Sequence, residues 1–474
     1  MSIIEKMLHT LSHKKGESVA DVVILGAGLT GLSAAYHLDA QGIEYTIFEK
    51  SDRAGGLLKS AYDSGYTFDH TGHFLHVSDE GFKIFLDQTM GLASFDIIQR
   101  RSGIFSHNAL TQYPFQMNLH GLPTAVIAEC IEGFVKRHRQ TKDPQTFYAW
   151  VLKHFGHGLG KHFFFSYNKK ILAYNLKKVH PAWTGRFVPS TTLHDIIEGC
   201  FDKKESSGIG YNSSFYYPKQ GGIESIVKGI THKITQPIKS LHDVSAIDPT
   251  ARIVYFTNGH SETYKTLVST LPLNRLLAIL KAPSSTTFNQ AAQYLIHNSV
   301  VNINLGFNTI IPVDKHWIYF PEEEYPFYRL GFWHNVSKSL VPANHTAVYG
   351  EFSYIAHRTK PDRVKKLIDQ TTSKILDFLQ LSDQHKTVEK ILHLEHAYVI
   401  YDTWRENHLQ TLLSSLTAFN IHSIGRYGAW KYSSMQEAYQ DGKAVAAIIK
   451  NNLERTTSRA QKGATRGRNP AAIL

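Results

Sequence analysis

Apolar and polar positions along the chain switch between two periods, and each switch marks an element. Val22-Val23-Ile24-Leu25 is an unbroken apolar run of strand length, as expected of a parallel strand buried on both faces. Leu29 to Leu38 continues as an apolar, Ala-rich helix, and Tyr45-Thr46-Ile47-Phe48 reads as a second strand. Helical spacing predicts further helices at Glu80–Met90, 122–138, Asp143–Phe155, Ile223–His232, Pro361–Leu381 and Met435–Asn451. A hairpin is expected from Arg252–Phe256 through a turn at Asn258-Gly259 into Glu262–Leu267. From about Ser299 to Ala397 strands dominate: Val300–Leu305, His316–Phe320, Ala347–Tyr354 and Ile391–Val399. Ile421 to Gly428 reads as a strand running into a glycine loop. The aromatics of His162 to Lys170 read as core, and Lys170 as solvated.

The first strand ends in chemistry. Gly26, Gly28 and Gly31 have the G-x-G-x-x-G spacing, with Leu29 and Thr30 opening the helix and Glu49 closing the second strand. The glycines allow a tight turn, approach of backbone to a pyrophosphate, and close helix–strand packing; the acid suits a ribose hydroxyl. The pattern predicts an α/β fold whose Rossmann-like dinucleotide-binding domain is discontinuous, built from 20–100, 215–280 and 415–451. A mostly helical block (101–214) and an antiparallel sheet domain facing the substrate (281–414) complete the body. Residues 1–19 read as a polar leader and 452–474 as a disordered basic tail. Arg53-Ala54-Gly55-Gly56 and the Gly65–His73 segment, with its Gly72-His73 loop, resemble the FAD-dependent amine oxidase superfamily. FAD is therefore the expected cofactor.

Composition narrows the setting. At 474 residues the chain is too long for one core. Cys130 and Cys200 are its two cysteines, so neither a disulfide framework nor a zinc spacing is expected, and a reducing, cytoplasmic location fits. The 27 histidines lack metal-ligand spacing, and no metal site is expected. The net charge of +11 suits an anionic ligand such as a nucleotide diphosphate, and part of the excess lies in the C-terminal segment. No nucleic-acid partner is expected. No apolar run reaches membrane-spanning length, and an oligomer is compatible with the sequence.

From Val22 to Ile448 the chain resembles the UDP-galactopyranose mutase family, in its longer eukaryotic-type form. Tyr113-Pro114-Phe115-Gln116, Tyr167-Asn168, Trp183-Thr184-Gly185, Trp317 to Glu322, Pro326-Phe327-Tyr328-Arg329, His396-Ala397-Tyr398 and Gly425 to Tyr432 carry the resemblance. It implies interconversion of UDP-galactopyranose and UDP-galactofuranose through a sugar adduct on N5 of reduced flavin, with NAD(P)H as the external reductant. It also implies supply of a sugar nucleotide to cell-surface glycan synthesis. By resemblance, Arg329, Tyr319, Tyr398 and Tyr432 hold the diphosphate and His73 sits beside the flavin. Tyr113, Gln116 and Asn168 hold the uridine, and Asn212 lies near the sugar or diphosphate. Lys50, Arg53, Gly55, Gly56, Leu57, Val244, Gly425, Arg426, Tyr432 and Met435 join the glycine motif around FAD. The chain departs from the family where a second diphosphate arginine belongs: Phe187 stands there and Arg186 one residue earlier, about 100° away on a helix. Two other readings stay open: an amine or protoporphyrinogen oxidase-like oxidoreductase, and a non-catalytic flavin-binding protein.

Overall fold

The computed structural model describes residues 20–137, 143–201, 213–282 and 285–466. Two seven-stranded sheets organise it. The first contains β1 (Ala20–Leu25), β2 (Tyr45–Phe48), β9 (Ile238–Lys239), β10 (Val244–Asp248), β11 (Ile253–Phe256), β12 (Ser261–Ser269) and β18 (Ile421–Ser423). Its order is β10-β11-β12-β1-β2-β9, with β18 alongside the second half of β12. The core of this sheet is parallel; β10 and β11 add an antiparallel edge. Val22, Ile24, Ile47 and Val268 face one hydrophobic cluster and Val23, Leu25, Phe48 and Leu267 the other. Burial on both faces is why these strands read as continuous apolar runs. The helix Leu29–Asp39 packs against the last helix, Met435–Arg466, with Gly442 allowing their close approach.

The second sheet contains β6 (Ser102–Ser106), β7 (Ala109–Gln112), β13 (Ser299–Phe307), β14 (Trp317–Tyr319), β15 (Arg329–Phe332), β16 (Thr346–Tyr354) and β17 (Lys386–Leu394). Its order is β17-β13-β16-β15-β14-β6-β7. Two small ribbons join the sheets' surroundings: β3 (Ser60–Asp63) with β4 (Tyr66–Asp69), and β5 (Phe95–Gln99) with β8 (Ser214–Pro218). A third core, built on Phe115, Cys130, Phe134, Phe147, Phe163 and Phe164, belongs to the helical region, so these aromatics are core as expected.

Several expectations are corrected. The block 101–214 opens with β6 and β7, which leave the helical region and complete the second sheet; β6 lies parallel to β14. Arg329 opens β15, for which no element was expected, since four residues are too few to show a period. The strand expected at Ile391–Val399 is displaced to Lys386–Leu394, because pairing along the whole of β13 sets its register. A helix at Thr403–Thr417, capped by Asp402, crosses the end of the block 281–414 that was expected as a sheet domain. The final helix continues to Arg466, so 452–466 is helix rather than disordered tail. Leu453 still packs on the core, and Lys, Arg, Gln and Ala sustain the helix beyond it. Residues 1–19, Asn212 and the last eight residues lie outside the described residues.

Candidate active site

The loop after β1 is shaped to receive a phosphate. A Cβ at Gly31 would lie 2.0 Å from the Gly26 carbonyl oxygen, so only glycine lets the helix start this close to the strand. The helix Leu29–Asp39 begins at Gly28 without a side-chain cap or an acid in its first turn, while Leu29, Thr30 and Gly31 are buried. Its first N–H groups therefore call for an external acceptor, and the helix N-terminus favours an anion. A second glycine loop backs the first: the Gly55 N–H donates to the Ala27 carbonyl at 2.9 Å, and a Cβ on Gly56 would come within 3.2 Å of the Gly28 Cα. The Gly425 loop closes against Thr30.

Glu49 ends β2 with its carboxylate accepting from the Ala27 and Ser51 N–H groups, 2.9 Å each, which ties it to the phosphate loop. Lys50 beside it is exposed, Val244 is buried at the start of β10, and Met435 opens the last helix. Arg53 donates to the Ser60 carbonyl at 2.9 Å and pairs with the buried Glu224 at 3.3 Å, so its charge is partly met from within. Leu57 packs on the small cluster of Val300, Leu394 and Ala397 together with Tyr398, joining the glycine loops to the second sheet.

A polar, tyrosine-rich face forms where the second sheet meets these loops. Arg329 on β15 donates from Nε and Nη2 to Glu351 Oε2, 2.7 Å each. Glu351 is 0% exposed and the Arg329 side chain 17%. Nη1 of Arg329 has no protein partner among the described residues. The guanidinium also lies 5.7 Å from the Tyr349 ring centre. Arg426 sits on the far side, 5.7 Å from the centres of both Tyr398 and Tyr432, donating to the Ser433 and Ala397 carbonyls. Tyr398 and Tyr432 pack edge to face at 6.0 Å, and Phe187 meets Tyr432 at 6.2 Å. Tyr319 contacts Tyr113 and Tyr167, and Arg100 lies over the Tyr113 ring.

Electrostatics set the proton inventory. Burial, then the nearby charges of Arg426 and Arg329, push the His73 imidazole down to about 3; its ring nitrogens lie 3.3 Å from Thr71 Oγ1. Burial raises the Tyr398 and Tyr432 hydroxyls well into alkaline range, against the pull of Arg329 and Arg426 respectively, so both remain O–H donors.

The structure thus gathers His73, Arg329, Tyr319, Tyr398, Arg426, Tyr432 and Tyr113. Two further expected residues bond to backbone. Gln116 donates to the Pro189 carbonyl at 2.7 Å and Asn168 to the Phe164 carbonyl at 2.8 Å, and both are buried. Each of these bonds uses one amide N–H and leaves the second N–H and the amide oxygen of the side chain. Lys170, expected in solvent, donates to the Phe320 and Glu322 carbonyls; burial lowers its amine to about 7. Glu351 and Tyr349 escape sequence reading, since a Glu or Tyr within a strand reads equally well as solvent-facing. A cleft of about 790 Å³ bounded by Asp96, Arg101, Lys219 and Lys338 shares no residue with this face. Among the described residues no three or more His, Cys, Asp or Glu side chains are grouped to hold a metal.

The family described as flavin containing amine oxidoreductase matches residues 29–450. The chain belongs to this family. The crystal structure of a reduced UDP-galactopyranose mutase superposes on the flavoprotein with a TM-score of 0.85 at 27% identity, covering 92% of this chain and 96% of that one. A putative protoporphyrinogen oxidase from Exiguobacterium superposes at 0.69 with 15% identity, over 92% of this chain and 100% of that one, a likeness of fold alone. A probable polyamine oxidase 4 of Arabidopsis thaliana is 25% identical over 29% of this chain and 28% of that protein. The mitochondrial protoporphyrinogen oxidase of Nicotiana tabacum is 36% identical over 18% and 17%. The chain thus spans less than a third of either curated relative.

The cradle fits the FAD that this family implies. It offers an uncapped helix start, two interlocked glycine loops without side chains to fill the approach, and a carboxylate at the end of β2. Among the described residues no helix is long and apolar enough to cross a membrane.

Proposed function

We propose that this flavoprotein is a UDP-sugar mutase that interconverts UDP-galactopyranose and UDP-galactofuranose. The observation that carries the reading is the half-buried, preformed Arg329, held along its Nε–Nη2 edge by buried Glu351, with its charge acting on both Tyr398 and His73. A planar guanidinium matches two diphosphate oxygens, and neutral tyrosine hydroxyls add donors without adding charge. The 27% identity to a reduced mutase across nearly the whole chain supports the same reading.

In this mechanism Arg329, Tyr319, Tyr398 and Tyr432 bind the diphosphate and steady it as a leaving group. Neutral His73, flanked by two guanidinium groups, keeps the sugar side of the face free of a third positive charge. Reduced FAD, when bound, supplies the nucleophile. The reaction is an isomerisation, so electrons are not consumed, and NAD(P)H serves only to keep the cofactor reduced. Arg426 lies close enough to Tyr398 and Tyr432 to complete the cationic surround in the absence of an arginine at Phe187. The free thiols Cys130 and Cys200 support a reducing, cytoplasmic setting.

The oxidase names of the curated relatives define the competing reading, in which substrate reduces the flavin and oxygen reoxidises it. The two separate in one experiment. Purified protein is incubated anaerobically with UDP-galactofuranose, with and without dithionite, and UDP-galactopyranose is followed by chromatography. Conversion is expected only with dithionite. Conversion by oxidised protein, or oxygen uptake matching product in air, would overturn the mutase reading.

A further inference from the structure

The centre of the second sheet contains polar groups that ligand contact does not explain. All nine residues of β13 are buried, yet Asn302 and Asn304 occupy its middle. Register places Asn302 opposite Glu351 and Glu351 opposite Arg329, a straight row across three strands. The next row on that face holds Asn304, Tyr349 and Gly331. The Tyr349 ring fills the space above Gly331, where a Cβ would lie 2.0 Å from it, and Trp333 packs on that ring at 4.5 Å.

The hydrogen bonds in this layer run in one direction. The Trp333 indole can only donate, and it donates to Asn304 Oδ1 at 2.9 Å. The Asn304 amide therefore turns its Nδ2 to Asn302 Oδ1, at 2.5 Å. Asn302 in turn donates from Nδ2 to Glu351 Oε1 at 3.1 Å. Glu351 is left as acceptor on both oxygens, with Oε2 taken by Arg329 Nε and Nη2. A donor-only indole at one end thus fixes the orientation of two amides and the placement of a buried carboxylate.

Burying a carboxylate and two amides costs solvation that apolar side chains of the same size would not lose. We propose that Glu351, Asn302, Asn304 and Trp333 are positioning residues, which hold the Arg329 guanidinium by its Nε–Nη2 edge and so aim Nη1 at an incoming diphosphate before it binds. The identity of the diphosphate rests on the mutase reading; the network itself does not. Preorganisation lowers the ordering cost of binding, so damage far from Arg329 should appear as lost affinity.

The test uses FAD-loaded full-length protein labelled with ¹⁵N-arginine. The Arg329 Nε–H resonance is assigned by its loss in Arg329→Lys. Trp333→Phe removes the directing N–H together with part of the ring while keeping an aromatic face for Tyr349, and Asn302→Leu removes the link to Glu351. Both variants should shift or broaden the Arg329 resonance while retaining FAD. In calorimetry with UDP, the dissociation constant should rise about threefold in Trp333→Phe and about tenfold in Asn302→Leu, the scale of one lost hydrogen bond. Should Asn302→Leu fail to fold, Trp333→Phe decides alone. An unmoved resonance, or a moved resonance with unchanged UDP affinity, overturns the proposal. Wild-type protein that binds no UDP would instead sink the mutase reading, and the resonance would still judge the network.

Discussion

In the proposed mutase reading Arg329 is the residue on which diphosphate recognition turns, and its chemistry makes Arg329→Lys informative. Lysine keeps the charge but loses the planar fork, and it cannot bridge Glu351 and a diphosphate in one plane. The expected result in calorimetry is UDP binding weaker by about 1.5–3 kcal/mol with FAD content unchanged. Removing Glu351 is a different experiment. Glu351→Leu leaves a guanidinium without its buried partner, and such a loss costs about 3–5 kcal/mol, so the urea midpoint should fall far more than in Arg329→Lys. At this scale the sequence displayed the residues proposed to meet the diphosphate, because Arg329, Tyr319, Tyr398 and Tyr432 sit in recognisable runs. It did not display Glu351 or Asn302. Their partners are on other strands, and only cross-strand register reveals a row.

Among the elements, the join between the helical region and the second sheet carries a proton-sensitive contact. The turn between β6 and β7 brings His107 to His162 at 3.1 Å. His162 then meets Glu129 Oε2 at 2.9 Å, which also pairs with Lys161, while Glu322 accepts the His107 backbone N–H at 2.7 Å. Two imidazoles facing each other through one nitrogen apiece can share one proton there, not two. Burial lowers the His162 imidazole, against the opposing effect of Glu129. Between its folded value and the ordinary 6.5 the unfolded chain binds more protons, so the stability from His162 is present above about pH 6.5 and is lost as pH falls. His162→Phe should therefore show a smaller drop in melting temperature from pH 7 to pH 5 than wild type. The helices of this region also meet backbone to backbone: a Cβ on Gly158 would lie 2.0 Å from the Glu129 carbonyl oxygen. Neither partner can swing aside, and Gly158→Ala should cost at least about 1–3 kcal/mol in urea unfolding.

Across the whole molecule, buried neutral histidines dominate the acid response. Burial takes His73 and His396 to about 3 and His316 to about 4, and lowers His70, His297, His334 and His422 as well. Each binds its proton more readily unfolded, so stability should fall steadily below about pH 6.5 in urea titrations. Asp69 opposes them. Burial lifts its carboxyl to about 6 although Ser60, Tyr217 and the Ile223 N–H donate to it. Between its ordinary value near 4 and 6 the folded state binds the extra proton, so this one group destabilises as pH rises through that window. The histidines outnumber it, and the net slope should keep their sign.

The α/β class, the phosphate loop and the order of the main elements were legible in the chain itself. Val22 to Leu25 and Gly26 to Gly31 encode them locally, through apolar continuity and backbone freedom that need no distant partner. Tertiary structure decided what depends on pairing. It moved β6 and β7 into the second sheet, because an edge beside β14 was available to them. It gave Gln116 and Asn168 one backbone carbonyl each, because a buried amide N–H needs an acceptor. It gathered His73, Arg329, Tyr398 and Arg426 from segments up to 353 positions apart. A local pattern can specify a strand or a turn, but the contents of a site are fixed by which strands become neighbours, and in what register.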